Sequence, residues 1–428
     1  MSDFDAIVVG SGCAGSIAAY ELAKAGKEVL VVERANFAGG KNMTGGRLYS
    51  HALKEVFPDF ESEAPLERRI THERISMMSP DANLTVDFSS QAMLVPGQDS
   101  YSVLRASFDQ WLAEQAENAG AEYIYGITVE ELLKEGDRVT GIKAGSDELT
   151  AEVVLLCDGA NSLLTQDAVG FDTPSADHMA VGIKQVIELP ASVIEDRVLA
   201  AEGEGAAWLF AGDATKGHIG GGFMYTNKES ISLGIVATIS DVATASTPIY
   251  QMLEDLKAHP AVAPLIKGGK LVEHSGHMVP EGGRSMMPSL VGNGVILAGE
   301  SAMMCLNLGY MVRGMDYAIA AGMHAGRSAV AALEAGDTSA QGLAIYEKAL
   351  ENSFVLKDLE QFKNFPHFME STTRMFNEYP ALARDVMNTL FIVDGSPMPP
   401  LKKSIMPLVK KLGFMNILKD ARKGMKAL

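Results

Sequence analysis

Cysteine is scarce: 428 residues include only Cys13, Cys157 and Cys305. Their wide spacing excludes a disulfide framework, and without a CxxC pair nothing points to zinc or an iron–sulfur cluster. Each reads as a small, buried apolar side chain. Positive charge is also short, with 36 Lys and Arg against 54 Asp and Glu, a formal net charge of −18. Phosphate neutralisation needs concentrated Lys and Arg, so a general nucleic-acid binder is excluded. No uncharged apolar run reaches the roughly 18 residues of a membrane-spanning helix. The opening Met1-Ser2-Asp3-Phe4-Asp5 has neither a basic stretch nor an apolar one. A secretory signal is therefore not expected, and the expected location is the cytoplasm.

What is present is a large apolar fraction, 47% of the chain. A chain this long exceeds the usual domain size of about 100 to 200 residues, so at least two packed units are expected. One segment breaks the acidity. From Lys402 to Leu428 eight basic residues face a single acid, Asp420, a formal +7, so the rest of the chain carries −25. Pro397-Met398-Pro399-Pro400 marks a break before this tail. Within it Ile405, Leu408, Leu412, Ile417 and Leu418 recur at roughly helical spacing among lysines. Pro407 and Gly413 favour two short helices over one. Such a tail fits either an anionic membrane surface or an acidic partner protein.

The N-terminal pattern is the most informative. Ala6-Ile7-Val8-Val9 is the β-branched run of a covered parallel strand, and Gly10-Ser11-Gly12-Cys13-Ala14-Gly15 follows at once. A helix then continues to Gly26, and Val29-Leu30-Val31-Val32 gives a second strand that ends at Glu33. Strand, glycine turn, helix, strand and acid in register form a dinucleotide-binding βαβ unit. Gly10 makes the tight turn, Gly12 admits a pyrophosphate, and Gly15 lets helix and strand approach. Glu33 is placed to accept hydrogen bonds from an adenosine ribose and disfavours a 2′-phosphate there.

Three further elements suit the same cofactor. Arg105 stands at the start of a helix that runs through Phe108 and Leu112 to about Ala116, placed for a phosphate or flavin contact or else for a surface ion pair. The strand 152–157 runs into Asp158-Gly159, and ligands of open α/β sheets bind at that carboxyl edge. The strand from Gly294 ends at Gly299-Glu300, where a carboxylate can hold ribityl hydroxyls. Asn307-Leu308-Gly309-Tyr310 then leads to a long helix from about Gly314 to Leu333, whose N-terminal dipole can stabilise negative charge on a reduced flavin.

Together these elements resemble the glutathione-reductase-type FAD superfamily, in the branch of geranylgeranyl reductases, aromatic hydroxylases and electron transfer flavoprotein-quinone oxidoreductases. The likeness is strongest to FixC-type proteins. It is carried by Gly39-Gly40-Lys41-Asn42-Met43-Thr44-Gly45-Gly46-Arg47-Leu48-Tyr49, by Gly220-Gly221-Gly222-Phe223-Met224-Tyr225-Thr226-Asn227 and by Asn307-Leu308-Gly309-Tyr310-Met311-Val312-Arg313-Gly314-Met315-Asp316. The resemblance implies an α/β glutathione-reductase-type FAD-binding Rossmann fold with an inserted α+β substrate domain and a helical C-terminal region. It implies FAD as cofactor, held by Gly10, Gly12, Cys13, Ala14, Gly15, Glu33, Arg34, Lys41, Asn42, Arg105, Asp158, Gly159, Gly299, Glu300, Leu308 and Gly309. Where the family carries Gly-Asp this chain has Gly299-Glu300, one methylene longer with the charge kept. The implied partners are the alpha and beta subunits of electron transfer flavoprotein, a quinone, and a separate ferredoxin-like subunit carrying the 4Fe-4S cluster that three scattered cysteines cannot hold.

On this reading the FAD domain is assembled from about 1–75, 101–178 and 272–336, the substrate or quinone domain from 76–100 and 179–271, and the helical region from 337–428. No acid–base catalyst is named, because the isoalloxazine carries the chemistry. His51, His178, His218, His274 and His277 read as structural or surface groups. Lys41 could tune the flavin by its charge, and Met286-Met287 and Met303-Met304 read as core filling. Three function classes remain open: electron transfer from a flavoprotein to a membrane quinone, with peripheral contact at the inner face of the cytoplasmic membrane; a soluble NAD(P)H-dependent reductase or monooxygenase; and a non-catalytic assembly subunit.

Overall fold

The computed structural model describes residues 2–42 and 46–428, so Met43, Thr44 and Gly45 of the first glycine-rich string lie outside the described residues. The chain divides into two compact units. The first comprises Met1–Arg69, Gln91–Met179 and His277–Gln361; the second comprises Ile70–Ser90, Ala180–Gly276 and Phe362–Leu428.

In the first unit, β1 (Phe4–Val9), β2 (Val29–Glu33), β3 (Glu122–Tyr125), β4 (Asp147–Leu156) and β5 (Val295–Leu297) form a parallel sheet in the order β5, β4, β1, β2, β3. The short strand Val291–Gly292 adds antiparallel to β5. Every residue of β2 is buried, as are Ala6 to Val9 of β1, which is why these strands read as unbroken apolar runs. Helix α1 (Cys13–Lys24) follows β1, α2 (Arg105–Asn118) follows the strand Ser100–Val103, and α3 (Met315–Ala335) packs against α1. Glycine makes that last contact close. A Cβ on Gly322 would lie 2.2 Å from the Ala14 carbonyl oxygen, and one on Gly326 would lie 2.7 Å from that of Ala18.

The second unit is an antiparallel sheet with helices on it. Its strands Met179–Glu188, Ser230–Thr238, Gly220–Thr226 and Glu204–Gly212 pair in that order, followed by the strand Leu66–Ser79, which belongs to this unit from Ile70 onwards and pairs there with Ala82–Phe88. The helix Ile249–Ala258 drops Met252, Leu253 and Leu256 into a core with Trp208, Phe210, Met224 and Leu233. The Gly220-Gly221-Gly222 string belongs to this sheet. A Cβ at Gly220 would stand 2.1 Å from the Val236 carbonyl oxygen and one at Gly221 2.7 Å from that of Phe210, so strand packing accounts for these glycines.

The tail forms α4 (Leu401–Leu412) and α5 (Phe414–Ala427). Pro407 is tolerated inside α4, and the break falls at Gly413, whose φ of 90° only glycine adopts freely. The one acid of the tail is its anchor. Asp420 is buried and receives Arg374 Nε at 2.7 Å, Arg374 Nη2 at 2.8 Å and the Tyr379 hydroxyl at 2.8 Å. Hydrogen bonds from Arg374 and Tyr379 hold its carboxyl below the usual carboxylate range despite burial. Of the apolar residues that recur at helical spacing, Leu418 is exposed and Ile405, Leu408, Leu412 and Ile417 are half-buried; the exposed apolar groups also include Leu401, Met406, Phe414, Met415 and Met425. Among the described residues no helix is long and apolar enough to cross a membrane.

Candidate cofactor site

The site grows from the carboxyl ends of β1, β4 and β5. Gly10, with φ 97°, turns the chain out of β1, and a Cβ there would lie 2.5 Å from the Cys157 carbonyl oxygen. Gly15 is as tightly held: its Cβ would fall 1.9 Å from the Gly10 carbonyl oxygen. Gly12 differs. Among the described residues, a Cβ on Gly12 would meet Arg105 Nη2 and Asn42 Nδ2, each at 3.7 Å, and nothing closer, so the turn is shaped as a cradle with two side-chain donors at its rim. Among the described residues no side chain caps α1, and the N–H groups of such a first turn suit an anion. Ala14 lies beneath Gly299, where a Cβ would come 3.0 Å from the Ala14 Cβ.

Glu33 ends β2 and is buried. It accepts the Ser11 N–H at 2.9 Å, the Ser11 hydroxyl at 3.0 Å and the Ala35 N–H at 2.7 Å. A carboxylate has about four lone-pair sites, so capacity for one further donor remains. The same side chain thus pins the glycine turn to β2. Arg34, next along, is exposed, as is Lys41.

Arg105 is the first residue of α2 and forks onto Asp109 one turn later, Nε to Oδ1 at 2.7 Å and Nη2 to Oδ2 at 2.8 Å. Burial opposes the Arg105 charge, but the Asp109 carboxylate outweighs it and, with a contribution from Glu300, raises the guanidinium pKa above its ordinary value. Asn42 Nδ2 also donates to Asp109, and the Cys13 thiol approaches it at 3.7 Å. Burial, chiefly, pushes Cys13 up to about 12, so this sulfur stays a protonated thiol.

Asp158 and Gly159 lie just past β4. The Ser301 hydroxyl donates to Asp158 Oδ1 at 3.0 Å and accepts the Gly159 N–H at 2.9 Å, which joins the ends of β4 and β5. Burial raises the Asp158 carboxyl above its usual range, against hydrogen bonds from Ser162 and Ser301. Glu300 sits in the turn Gly299–Ala302, its Oε2 3.2 Å from His277 Nε2. Leu308 is buried, and Gly309, with φ 72° and its N–H on the Asn307 side chain, makes the bend between two short strands. Beyond it Arg313 binds Asp316 through Nε at 2.7 Å, and His51 Nε2 lies 3.2 Å from the same Asp316 oxygen, close to the start of α3.

Most of the expected residues therefore converge: Gly10, Gly12, Cys13, Ala14, Gly15, Asn42 and Arg105 around the turn, and Asp158, Gly159, Gly299 and Glu300 at the neighbouring strand ends. Sequence reasoning missed Asp109, Ser11, Ser301 and the His277 contact. Asp109 carried a usable signal, opposite charge at i+4 from Arg105 on one helix. His277 carried none, because its partner lies far along the chain.

A turn that admits a phosphate group beside an uncapped helix, with guanidinium and amide donors at its rim, fits a dinucleotide. A family model for FAD dependent oxidoreductases matches residues 5–173. The fold agrees. A geranylgeranyl bacteriochlorophyll reductase-like protein from Thermoplasma acidophilum superposes with a TM-score of 0.71 at 19% identity, over 98% of this chain and 99% of that one. A variant of the halogenase PltM in complex with FAD does so at 0.63 and 16% identity, over 98% of this chain and 85% of that one. The protein is an FAD-dependent oxidoreductase.

A second family model, described as the ETF-QO/FixC family C-terminal domain, matches residues 365–428. The chain is 51% identical to the probable electron transfer flavoprotein-quinone oxidoreductase YdiS of Escherichia coli (strain K12), over the full length of both. It is 48% identical to the protein FixC of Salmonella typhi, over 99% of each. The chain belongs to the electron transfer flavoprotein-quinone oxidoreductase and FixC family.

Proposed function

We propose that this chain accepts electrons from electron transfer flavoprotein and passes them towards a membrane quinone, with a separate ferredoxin-like subunit carrying the 4Fe-4S cluster. The observation that carries the reading is the likeness to YdiS over the whole of both chains. Bound FAD supplies the electron chemistry, and the protein supplies binding, orientation and charge. In this reading Gly10, Gly12, Cys13, Ala14 and Gly15 with the start of α1 receive the pyrophosphate, and Glu33 and Arg34 receive the adenosine. Arg105 and Asn42 meet the phosphates from the rim, and Lys41 stands on the flavin side. Asp158, Gly159, Gly299 and Glu300 hold the ribityl chain, while Leu308 and Gly309 present the start of α3 to the flavin pyrimidine. The segments 76–100 and 179–271 take the quinone.

The test is anaerobic mixing of the purified chain with reduced electron transfer flavoprotein, with and without the ferredoxin-like subunit, while flavin absorbance is followed. Reduction of the chain's flavin by this donor, and not by NAD(P)H, is expected. Reduction by NAD(P)H alone selects the soluble reductase instead.

Contact with an anionic membrane is part of the same proposal. Leu401, Met406, Phe414, Met415, Leu418 and Met425 are exposed on α4 and α5 among eight basic residues. Each cation near such a surface contributes about 1 kcal/mol. Flotation with anionic vesicles should recover the full chain and leave a chain ending at Pro400 in solution. Equal partition of the two overturns the membrane role of the tail.

A further inference from the structure

Asp109 has no part in the chemistry so far, yet among the candidate residues it is the most heavily engaged carboxylate. It is fully buried, and its two oxygens take Nε and Nη2 of Arg105, Nδ2 of Asn42 and the Cys13 thiol. Arg105 and Asn42 are also the two side chains nearest to where a Cβ on Gly12 would stand. One buried group thus holds both polar arms that overhang the Gly12 cradle.

The donor count explains what this achieves. Arg105 has five N–H groups and spends two on Asp109, and Asn42 has two and spends one. Among the described residues the remaining donors have no other partner, and the bonds to Asp109 orient the two groups that carry them. A guanidinium without such a partner loses rotamer freedom each time it orders on a phosphate, which opposes binding. The bidentate fork has already imposed that order.

We propose that Asp109 is a positioning residue for FAD: it presets Arg105 and Asn42 so that their free N–H groups meet the pyrophosphate as it enters the Gly12 cradle. This rests on the placement of the pyrophosphate at Gly12 proposed above, and it is independent of the electron donor and acceptor. Neutralising Asp109 should therefore weaken ligands that carry a pyrophosphate and spare those that do not.

The experiment uses the full chain loaded with FAD, with release followed by flavin fluorescence and with ADP or adenosine as competitor. Asp109→Asn keeps the shape and removes the charge. Affinity for FAD and for ADP should fall on the order of tenfold to a hundredfold, the worth of one charge-assisted hydrogen bond, while adenosine competes as before. Arg105→Gln should lose a similar factor, and the double variant should lose little more than either single one, because the two act as a unit. Native ADP affinity in Asp109→Asn, equal weakening of ADP and adenosine, or additive losses overturn the proposal. Should Asp109→Asn fail to fold, Asn42→Ala and Arg105→Lys take its place, since both sit at the rim; native ADP affinity in both overturns it equally.

Discussion

Two arginine–aspartate pairs in this protein have the same geometry and different work. Arg105–Asp109 in the first unit and Arg374–Asp420 in the second are both bidentate, with the same two distances, 2.7 and 2.8 Å, and both bury the carboxylate. The first closes within one helix and aims its spare donors at a glycine cradle. The second ties a C-terminal helix to the turn Thr373–Met375 and takes a tyrosine as well. Geometry alone does not assign a role to an ion pair. What stands beyond the arginine does: a cradle in one case, a helix in the other.

That contrast can be broken at the cradle, where the largest effect is expected. Gly15→Ala puts a methyl group 1.9 Å from the Gly10 carbonyl oxygen, backbone that cannot yield. Overpacking of this kind costs about 1–3 kcal/mol or more, and it should lower the thermal midpoint of the first unit and abolish flavin retention together. Gly12→Val should separate the two effects. With two side chains at 3.7 Å and nothing closer around that Cβ among the described residues, the fold should survive while FAD is lost, a fall of at least a hundredfold or about 2.7 kcal/mol. Flavin absorbance after gel filtration, beside a circular dichroism melt, checks both variants. A folded Gly12→Val protein with full flavin removes the pyrophosphate from this turn.

At the other pair the expected loss is local. Asp420→Asn should release α5 at a cost of about 1.5–3 kcal/mol, the worth of hydrogen bonds to a charged group, and leave FAD content unchanged. The pH dependence has a definite sign. The folded-state pKa of Asp420 is lowered, so its stabilisation is complete above the pKa of an unfolded aspartate, about 3.9, and is lost as pH falls through the folded value. Hydrogen exchange of the α5 amides should therefore stay slow down to about pH 4 and quicken below it, and the Asp420→Asn variant should lack this step. Exchange that is flat across the range would show that other contacts hold the helix.

The two regions were also unequally legible in the sequence. β1, α1 and β2, the strand ends at Asp158 and Glu300, and α3 follow from local periodicity and glycine placement, and the structure has them within a few residues of expectation. Local pattern cannot carry contacts between distant residues. Ser11 with Glu33, Asn42 with Asp109, and His277 with Glu300 join residues that only the fold brings together. The tail shows the same limit in reverse. Its division into two helices was readable, but its outward face was not. Asp420, the single acid in a basic stretch, turns inward to Arg374 and so fixes which apolar stripe of α5 stays exposed.

The smallest effect is expected at Glu300, and it tests whether charge near the cofactor differs from charge in the tail. The carboxylate sits at the end of β5, 3.2 Å from His277 Nε2, and its field contributes to the raised pKa of Arg105. Glu300→Gln keeps a carbonyl oxygen that can still accept a hydrogen bond from a ribityl hydroxyl or from His277, so FAD affinity should change only a few-fold. The lost negative charge should act on the potential. Reduction adds electron density to the flavin, and a neighbouring carboxylate opposes it, so the midpoint should move positive. At an effective dielectric near 20 the shift should be on the order of 30 mV, about 1.4 kcal/mol for a two-electron couple. A redox titration of the full chain at fixed pH reads it, with Asp420→Asn as the control that should not move. A midpoint unchanged in Glu300→Gln, with unchanged affinity, would place this carboxylate outside the cofactor site and leave the His277 contact as its role.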